Sequence, residues 1–229
     1  MRSVIGLSGY AGSGKDTVAD FLIEKRGWTG KTSFARNLKD LVKAVFKLSE
    51  YEVSDHNGKK SKFNAPLILN SSHVGAILVW MTRTHKNLSP ESPSKETLKE
   101  FFLSVAGKSF ETPREILQFV GTDFCRYIIP TYHTDVLKTF LSSQEGNWVV
   151  TDVRFPNEAQ VIKDFNGALI KIERPDLEHS VVHRHESEVA LSSWSDWDAT
   201  IVNDASSIED LYSKVDKFLE ENQLCQIIQ

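Results

Sequence analysis

An α/β fold built on a parallel sheet is predicted by three features of this chain. Val4, Ile5 and Leu7 form a short apolar run of the kind a strand buried on both faces needs, and Trp148, Val149 and Val150 form another. Helical patterns alternate with such runs: Val18, Phe21 and Leu22 fall at i, i+3 and i+4, and Leu38, Leu41, Val42, Val45 and Phe46 share one face. The first strand is joined to the first helix by a polar turn carrying three glycines and ending in a lysine.

That turn reads Ser8-Gly-Tyr-Ala-Gly-Ser-Gly-Lys-Asp-Thr17. Gly9, Gly12 and Gly14 let consecutive backbone N–H groups turn inward on a polyphosphate, and the helix N-terminus adds partial positive charge. Lys15 then reaches the β and γ phosphates. The expected nucleotide contacts are Gly12, Ser13, Gly14, Lys15, Asp16 and Thr17. A glycine-rich turn after a strand is often only a turn. Here the spacing, the lysine, the preceding strand and the following helix agree on the P-loop of the P-loop NTPase fold. Asp16 stands where a Ser or Thr is usual, and Thr17 comes one place later. Direct Mg²⁺ ligation by a hydroxyl next to the lysine, as in GTPases, therefore does not fit. Thr17 stays the nearest hydroxyl for the metal. The pattern Gly-x-x-Gly-x-Gly-Lys-x-Thr resembles that of nucleoside monophosphate kinases, which hold the metal largely through water and substrate oxygens.

Bulk properties narrow the field. The 229 residues suffice for one sizeable domain or a domain with an insertion. With 25% charged and 40% hydrophobic residues the chain reads as an ordinary soluble globule. A net charge of −4 argues against a general nucleic-acid binder. Cys125 and Cys225 show no metal spacing and fit reduced thiols in a cytoplasmic protein. The first strand leaves no room for a signal peptide, and the apolar run at 74–81 falls far short of the about 20 residues that cross a bilayer.

Along the chain, Gly27 and Gly30 mark the first helix end and a turn, and residues 31–34 look β-like. Arg36 and Lys39 then open the second helix, at the sheet edge that faces a ligand crevice in open α/β folds; a substrate phosphate and plain solvent are equally good partners for them. Residues 49–111 are irregular and read as a mostly helical, substrate-binding insertion with mobile loops. Thr112-Pro113-Arg114-Glu115 is a helix start, with Thr as cap and Pro at the first position. Arg114 conflicts with the helix dipole there, so its guanidinium is assigned to an anionic substrate phosphate rather than to a surface ion pair.

Asp152 closes the strand at 148–151, the usual place for a Mg²⁺-organising acid beside a P-loop; the alternative is that it only caps the turn. Arg154 follows beside the same crevice. Pro156 starts another helix, with Ala159, Ile162 and Phe165 inward, and a strand at 168–173 leads to Arg174-Pro175. His179, His183 and His185 suggest zinc, but a lid over 174–190 fits better, with Arg174 and Arg184 on the transferring phosphates and water excluded. A last strand at 200–202 ends in Asn203, where a nucleotide base would rest, and Ser206 with Glu209 makes a capping box for the C-terminal helix.

Several short motifs occur in this order: Gly14-Lys-Asp-Thr, Phe34-Ala35 before Leu38-Lys-Asp, Arg114 through Gly121-Thr-Asp, Asp152-x-Arg154, Arg174-Pro with Ser187-Glu188, and Asn203-Asp204. Together they resemble the deoxynucleoside monophosphate kinases of tailed bacteriophages over nearly the whole length outside 49–110. The resemblance implies a single P-loop kinase domain over 1–229, with its core at 1–48 and 112–229 and an open five-stranded parallel sheet flanked by helices. It implies ATP and Mg²⁺ as cosubstrates and γ-phosphoryl transfer to the 5′-phosphate of a deoxynucleotide. Lys15 and the loop N–H groups would hold the ATP phosphates, and Asp152 would organise hydrated Mg²⁺. Arg114, Arg154 and Arg174 would offset charge on the acceptor and the migrating group, with no general base needed. Partners would be small nucleotides, with no nucleic acid or membrane; monomer and homodimer both stay open. Two other classes share these features: a P-loop kinase of phosphomevalonate or dephospho-coenzyme A type, and a partner-coupled P-loop ATPase. The displaced Thr17 and the lack of an Asn-Lys-x-Asp sequence count against a GTPase switch.

Overall fold

A computed structural model describes residues 3–85, 95–178, 190–204 and 207–224. Its contacts divide the chain into two units, Met1–Phe34 with Phe140–Gln229, and Ala35–Thr139.

In the first unit five strands, β1 (Val4–Ser8), β2 (Gly30–Thr32), β5 (Trp148–Val150), β6 (Ala168–Glu173) and β7 (Ala199–Val202), form one sheet in the order β2-β5-β1-β6-β7. All its pairings are parallel, with Ile5 opposite Val149 on one side and Ala168 on the other. This is the five-stranded parallel sheet the sequence predicts. Alternation along the strands separates two faces. Ile5, Leu7, Val149, Ile170, Ile172 and Ile201 share a core with helices α1 (Lys15–Arg26) and α10 (Ile208–Glu221), which contribute Val18, Phe21, Leu22, Val215, Phe218 and Leu219. Phe21 stacks on Tyr212, ring centroids 4.2 Å apart, and Arg26 pairs with Asp216. On the other face Ile162 of α8 (Pro156–Asp164) lies against Gly6.

The second unit has its own core. Helix α2 (Arg36–Phe46) buries Leu38, Leu41, Val42 and Phe46, and α4 (Ser71–Thr84) adds Val74, Ile77 and Met81, each such side chain contributing on the order of 1.5–3 kcal/mol. Short α3 (Glu50–Ser54) and α5 (Lys95–Val105) complete the helical stretch. A two-stranded antiparallel sheet, β3 (Leu67–Ile68) with β4 (Ser109–Phe110), adds strand structure that the helical reading omits. The contact boundary is wider than the 49–111 insertion, because α2 and the helix after Thr112 bury their apolar faces in this core.

Helix α6 (Pro113–Gln118) starts as the sequence predicts, with the Thr112 side chain accepting from the Glu115 N–H. The chain continues as a π-helix over Phe119–Arg126, and the missing side chain at Gly121 makes room for Leu38. The buried His133 ring, on α7 (Tyr132–Ser143), donates from Nε2 to the Gly121 carbonyl at 2.9 Å.

Other corrections are local. Ser33 and Phe34 lie beyond β2, whereas Gly30 belongs to it and packs on Trp148. Phe165 ends α8 half-buried, and the short helix α9 (Pro175–Glu178) follows β6. Helix α10 is capped by Ser207, which accepts from Asp210 N–H, while Ser206 of the expected capping box lies outside the described residues. Adjacent serines each followed three residues later by an acid fit the capping pattern equally, so the sequence does not choose between them. Cys125 is buried and unbridged, while Cys225 lies outside the described residues. Burial raises the Cys125 thiol far above its usual range, which keeps it protonated. No helix among the described residues is long and apolar enough to cross a membrane.

Candidate active site

The loop between β1 and α1 is held by its own backbone geometry and by side chains around it. Gly9 (φ 146°) and Gly14 (φ 108°) both adopt positive φ. A Cβ at Gly9 would lie 2.3 Å from the Ile172 carbonyl oxygen of β6, so the chain can turn there only without a side chain. The Lys15 ammonium folds across the loop and donates to the Gly9 and Tyr10 carbonyls, each at 2.7 Å. Gly14 is the N-cap of α1 and gives the first helical N–H groups no side-chain acceptor, an arrangement suited to an anion. Asp16 is exposed in the first turn and Thr17 is half-buried. Ser13 is buried, and its hydroxyl has no hydrogen-bond partner among the described residues.

Asp152 lies at the same sheet edge. Val153 N–H donates to the Leu7 carbonyl at 3.0 Å and Thr151 N–H to the Thr32 carbonyl at 3.0 Å, so the chain after β5 keeps following its neighbours. Asp152 Oδ1 accepts from Phe34 N–H at 2.7 Å, so this carboxylate does cap the turn after β2. Arg154 is exposed two residues on. Its backbone is set by buried Glu158, whose Oε2 accepts from the N–H groups of Arg154 (2.8 Å) and Phe155 (3.2 Å). The role of Glu158 is one that sequence reasoning missed. Its signal was present: an acid three residues after the residue preceding the helix is the capping-box position.

Two further residues meet the loop from β6 and β7. Arg174 donates from Nη1 to the Gly12 carbonyl at 3.2 Å, whereas its expected partner was a transferring phosphate. Its Nε is buried without a hydrogen-bond partner among the described residues. Asn203 donates from Nδ2 to the Ser13 carbonyl at 2.9 Å. Lys15, Gly12, Ser13, Gly14, Arg174 and Asn203 are thus brought together by direct contacts. The histidines at 179, 183 and 185, Arg184 and most of the predicted lid lie outside the described residues.

Three predicted residues belong to the second unit. Arg36 is the exposed first residue of α2, and Lys39 is half-buried in its first turn. Arg114 is the second residue of α6, and its Nε is buried without a hydrogen-bond partner among the described residues.

The donor set also bears on a metal. Among the described residues no three His, Cys, Asp or Glu side chains cluster as a metal cage. Asp152 alone, with phosphate oxygens and water completing the shell, suits Mg²⁺, which keeps several waters and uses one or two carboxylates.

A β1–loop–α1 unit of this geometry, in a parallel sheet with β1 at its centre, is the phosphate-binding unit of the P-loop fold. Comparison with known proteins makes the assignment particular. The family model described as deoxynucleotide monophosphate kinase matches residues 3–215. A protein of Acanthamoeba polyphaga mimivirus with a provisional deoxynucleotide monophosphate kinase name is 31% identical over 225 residues, covering 93% of each chain. The deoxynucleoside-5′-monophosphate kinase of Escherichia phage T5 is 24% identical over 226 residues, covering 83% of this chain and 86% of its own. The chain belongs to the deoxynucleotide monophosphate kinase family. It is an ATP-dependent nucleotide kinase that carries the γ-phosphoryl group of ATP to a deoxynucleoside monophosphate, giving a diphosphate and ADP.

Proposed function

We propose a division of labour among this chain's residues for that transfer. The loop N–H groups of residues 12–17 and the Lys15 ammonium hold the β and γ phosphates of ATP. Asp152 would organise the water shell of Mg²⁺, which would supply charge neutralisation across the phosphates, and Thr17 is the loop hydroxyl assigned to that metal. Arg114, with Arg36 and Lys39, takes the acceptor's phosphate, while Arg154 and Arg174 offset charge as the phosphoryl group moves. In the reaction an acceptor phosphate oxygen forms a bond to the γ phosphorus, and the bond from that phosphorus to the β-phosphate bridging oxygen breaks. No base is required, because a phosphate monoester with its second pKa of about 6 is already ionised at neutral pH. Free nucleotides as substrates fit an enzyme of the cytoplasm, that of the host cell if the chain is viral.

The observation that carries this reading is Lys15 laid across a glycine loop at the N-terminus of α1. Positioned cations and N–H donors are the main catalytic resource in phosphoryl transfer, and losing one such group commonly costs about 10²–10³ in turnover. Lys15→Ala is therefore expected to lower kcat by at least about 100-fold, with an unchanged circular dichroism spectrum and thermal midpoint. Wild-type kinetics in that variant would overturn the reading.

A further inference from the structure

The contacts around the loop assign Asn203 a different task from holding a base. Asn203 is the residue directly after β7, and its backbone N–H donates to the Glu173 carbonyl at 2.7 Å, extending the β6–β7 ladder by one rung. The preceding carbonyl, Val202, accepts from Lys214 of α10 at 3.0 Å. The backbone that carries the Asn203 side chain is thus fixed by the sheet and by a helix. From there Nδ2 donates to the Ser13 carbonyl. Gly14 provides the room: a Cβ on it would lie 2.7 Å from Asn203 Nδ2.

The Ser13 carbonyl and the Gly14 N–H belong to one planar trans peptide and point in opposite directions. Whatever holds the carbonyl therefore aims the N–H. The same arrangement recurs along the loop, where side-chain donors hold the Gly9, Tyr10 and Gly12 carbonyls. Lys15 and Arg174 carry charge and can move onto phosphate. The neutral Asn203, seated on the sheet, brings no charge to a phosphate and is suited to hold. We propose that Asn203 is a positioning residue of the phosphate-binding loop, which fixes the Ser13–Gly14 peptide so that its N–H faces the nucleotide's phosphates.

This inference rests on the loop being the ATP-phosphate site, and the experiment separates the two. Calorimetric Kd values are measured for ATP, GTP and inorganic tripolyphosphate, which has no base, on the full-length wild type, Asn203→Ala and Lys15→Ala. Loss of a hydrogen bond of this kind is worth roughly tenfold in binding. Asn203→Ala is expected to weaken all three ligands by that same factor, leaving the ATP-to-GTP ratio and the thermal midpoint unchanged. A loss for ATP with none for tripolyphosphate would make Asn203 a base contact and overturn the proposal, as would no loss at all. Tripolyphosphate binding that survives Lys15→Ala would instead overturn the loop assignment and the proposal with it. Should Asn203→Ala fold poorly, the same three Kd values are measured on Asn203→Ser, whose shorter hydroxyl cannot span the contact Nδ2 makes with the Ser13 carbonyl. An equal weakening of all three ligands is expected, and a loss confined to ATP and GTP, or no loss, would overturn the proposal.

Discussion

Single residues in this protein carry sharply different duties. Gly9 tolerates no side chain, because an added Cβ would meet the Ile172 backbone and sit at a φ that L-residues rarely adopt. Gly9→Ala is expected to destabilise the fold by about 1–3 kcal/mol, seen as a lower urea midpoint; an unchanged midpoint would mean that the turn relaxes without effort. Arg114 is set apart by a buried Nε without a partner among the described residues, on the second residue of a helix whose dipole disfavours a cation. Arg114→Ala should raise KM for the deoxynucleotide about tenfold or more and leave KM for ATP within about twofold. An equal rise in both would contradict its assignment to the acceptor. His133 is buried and pushed down to about 4, first by burial and then by the Arg126 charge. In the unfolded chain its imidazole titrates near about 6.5, so between about pH 6.5 and 4 the unfolded state binds more protons. The stabilisation is complete above about pH 6.5 and is lost as pH falls towards 4, by about 3 kcal/mol at most. Urea unfolding at pH 7.5 and pH 5 should show the drop, and His133→Gln, which keeps an N–H for the Gly121 carbonyl, should remove that part of it. A drop of the same size in the variant would assign the effect to other groups.

At the scale of elements, the second unit joins its helices through a polar network as well as an apolar core. Trp80 Nε1 of α4 donates to Asn37 Oδ1 of α2 at 3.1 Å, Asn37 Nδ2 donates to the Tyr132 hydroxyl of α7 at 2.6 Å, and that hydroxyl also bonds Thr84 of α4 at 2.7 Å. Burial pushes the Tyr132 phenol up to about 12, which keeps it protonated. Tyr132→Phe leaves the Asn37 amide without its acceptor, at a cost of about 1–3 kcal/mol in unfolding free energy. A cost below about 0.5 kcal/mol would mean that water takes over the lost bond. This network explains what the sequence could and could not disclose. The β1–loop–α1 unit was legible because strand, glycines, lysine and apolar helix face lie within about 20 residues, and local chemistry sets all of them. The 67–68 with 109–110 pairing, the π-helical continuation past Gly121 and the His133 contact join residues whose spacing carries no pattern. They arise from packing in the second unit, where Gly121 leaves a seat for Leu38.

For the whole molecule, a parallel sheet follows from alternating strands and helices, and the activity follows from the loop together with its family. The placement of the candidate residues in the loop and at strand ends was legible, since apolar runs and loop glycines mark those positions. Their partners were not. Arg174 and Asn203 were expected on ligand, and their contacts with the loop's own carbonyls, made from the ends of β6 and β7, could not be read from the sequence. The central claim concerns chemistry, so it is tested by following ADP release with ATP and Mg²⁺ while dAMP, dGMP, dCMP, dTMP and the ribonucleotides are added one at a time. The account predicts ADP release that depends on a deoxynucleoside monophosphate and yields the matching diphosphate in equal amount. ATP consumption that no monophosphate stimulates would contradict it.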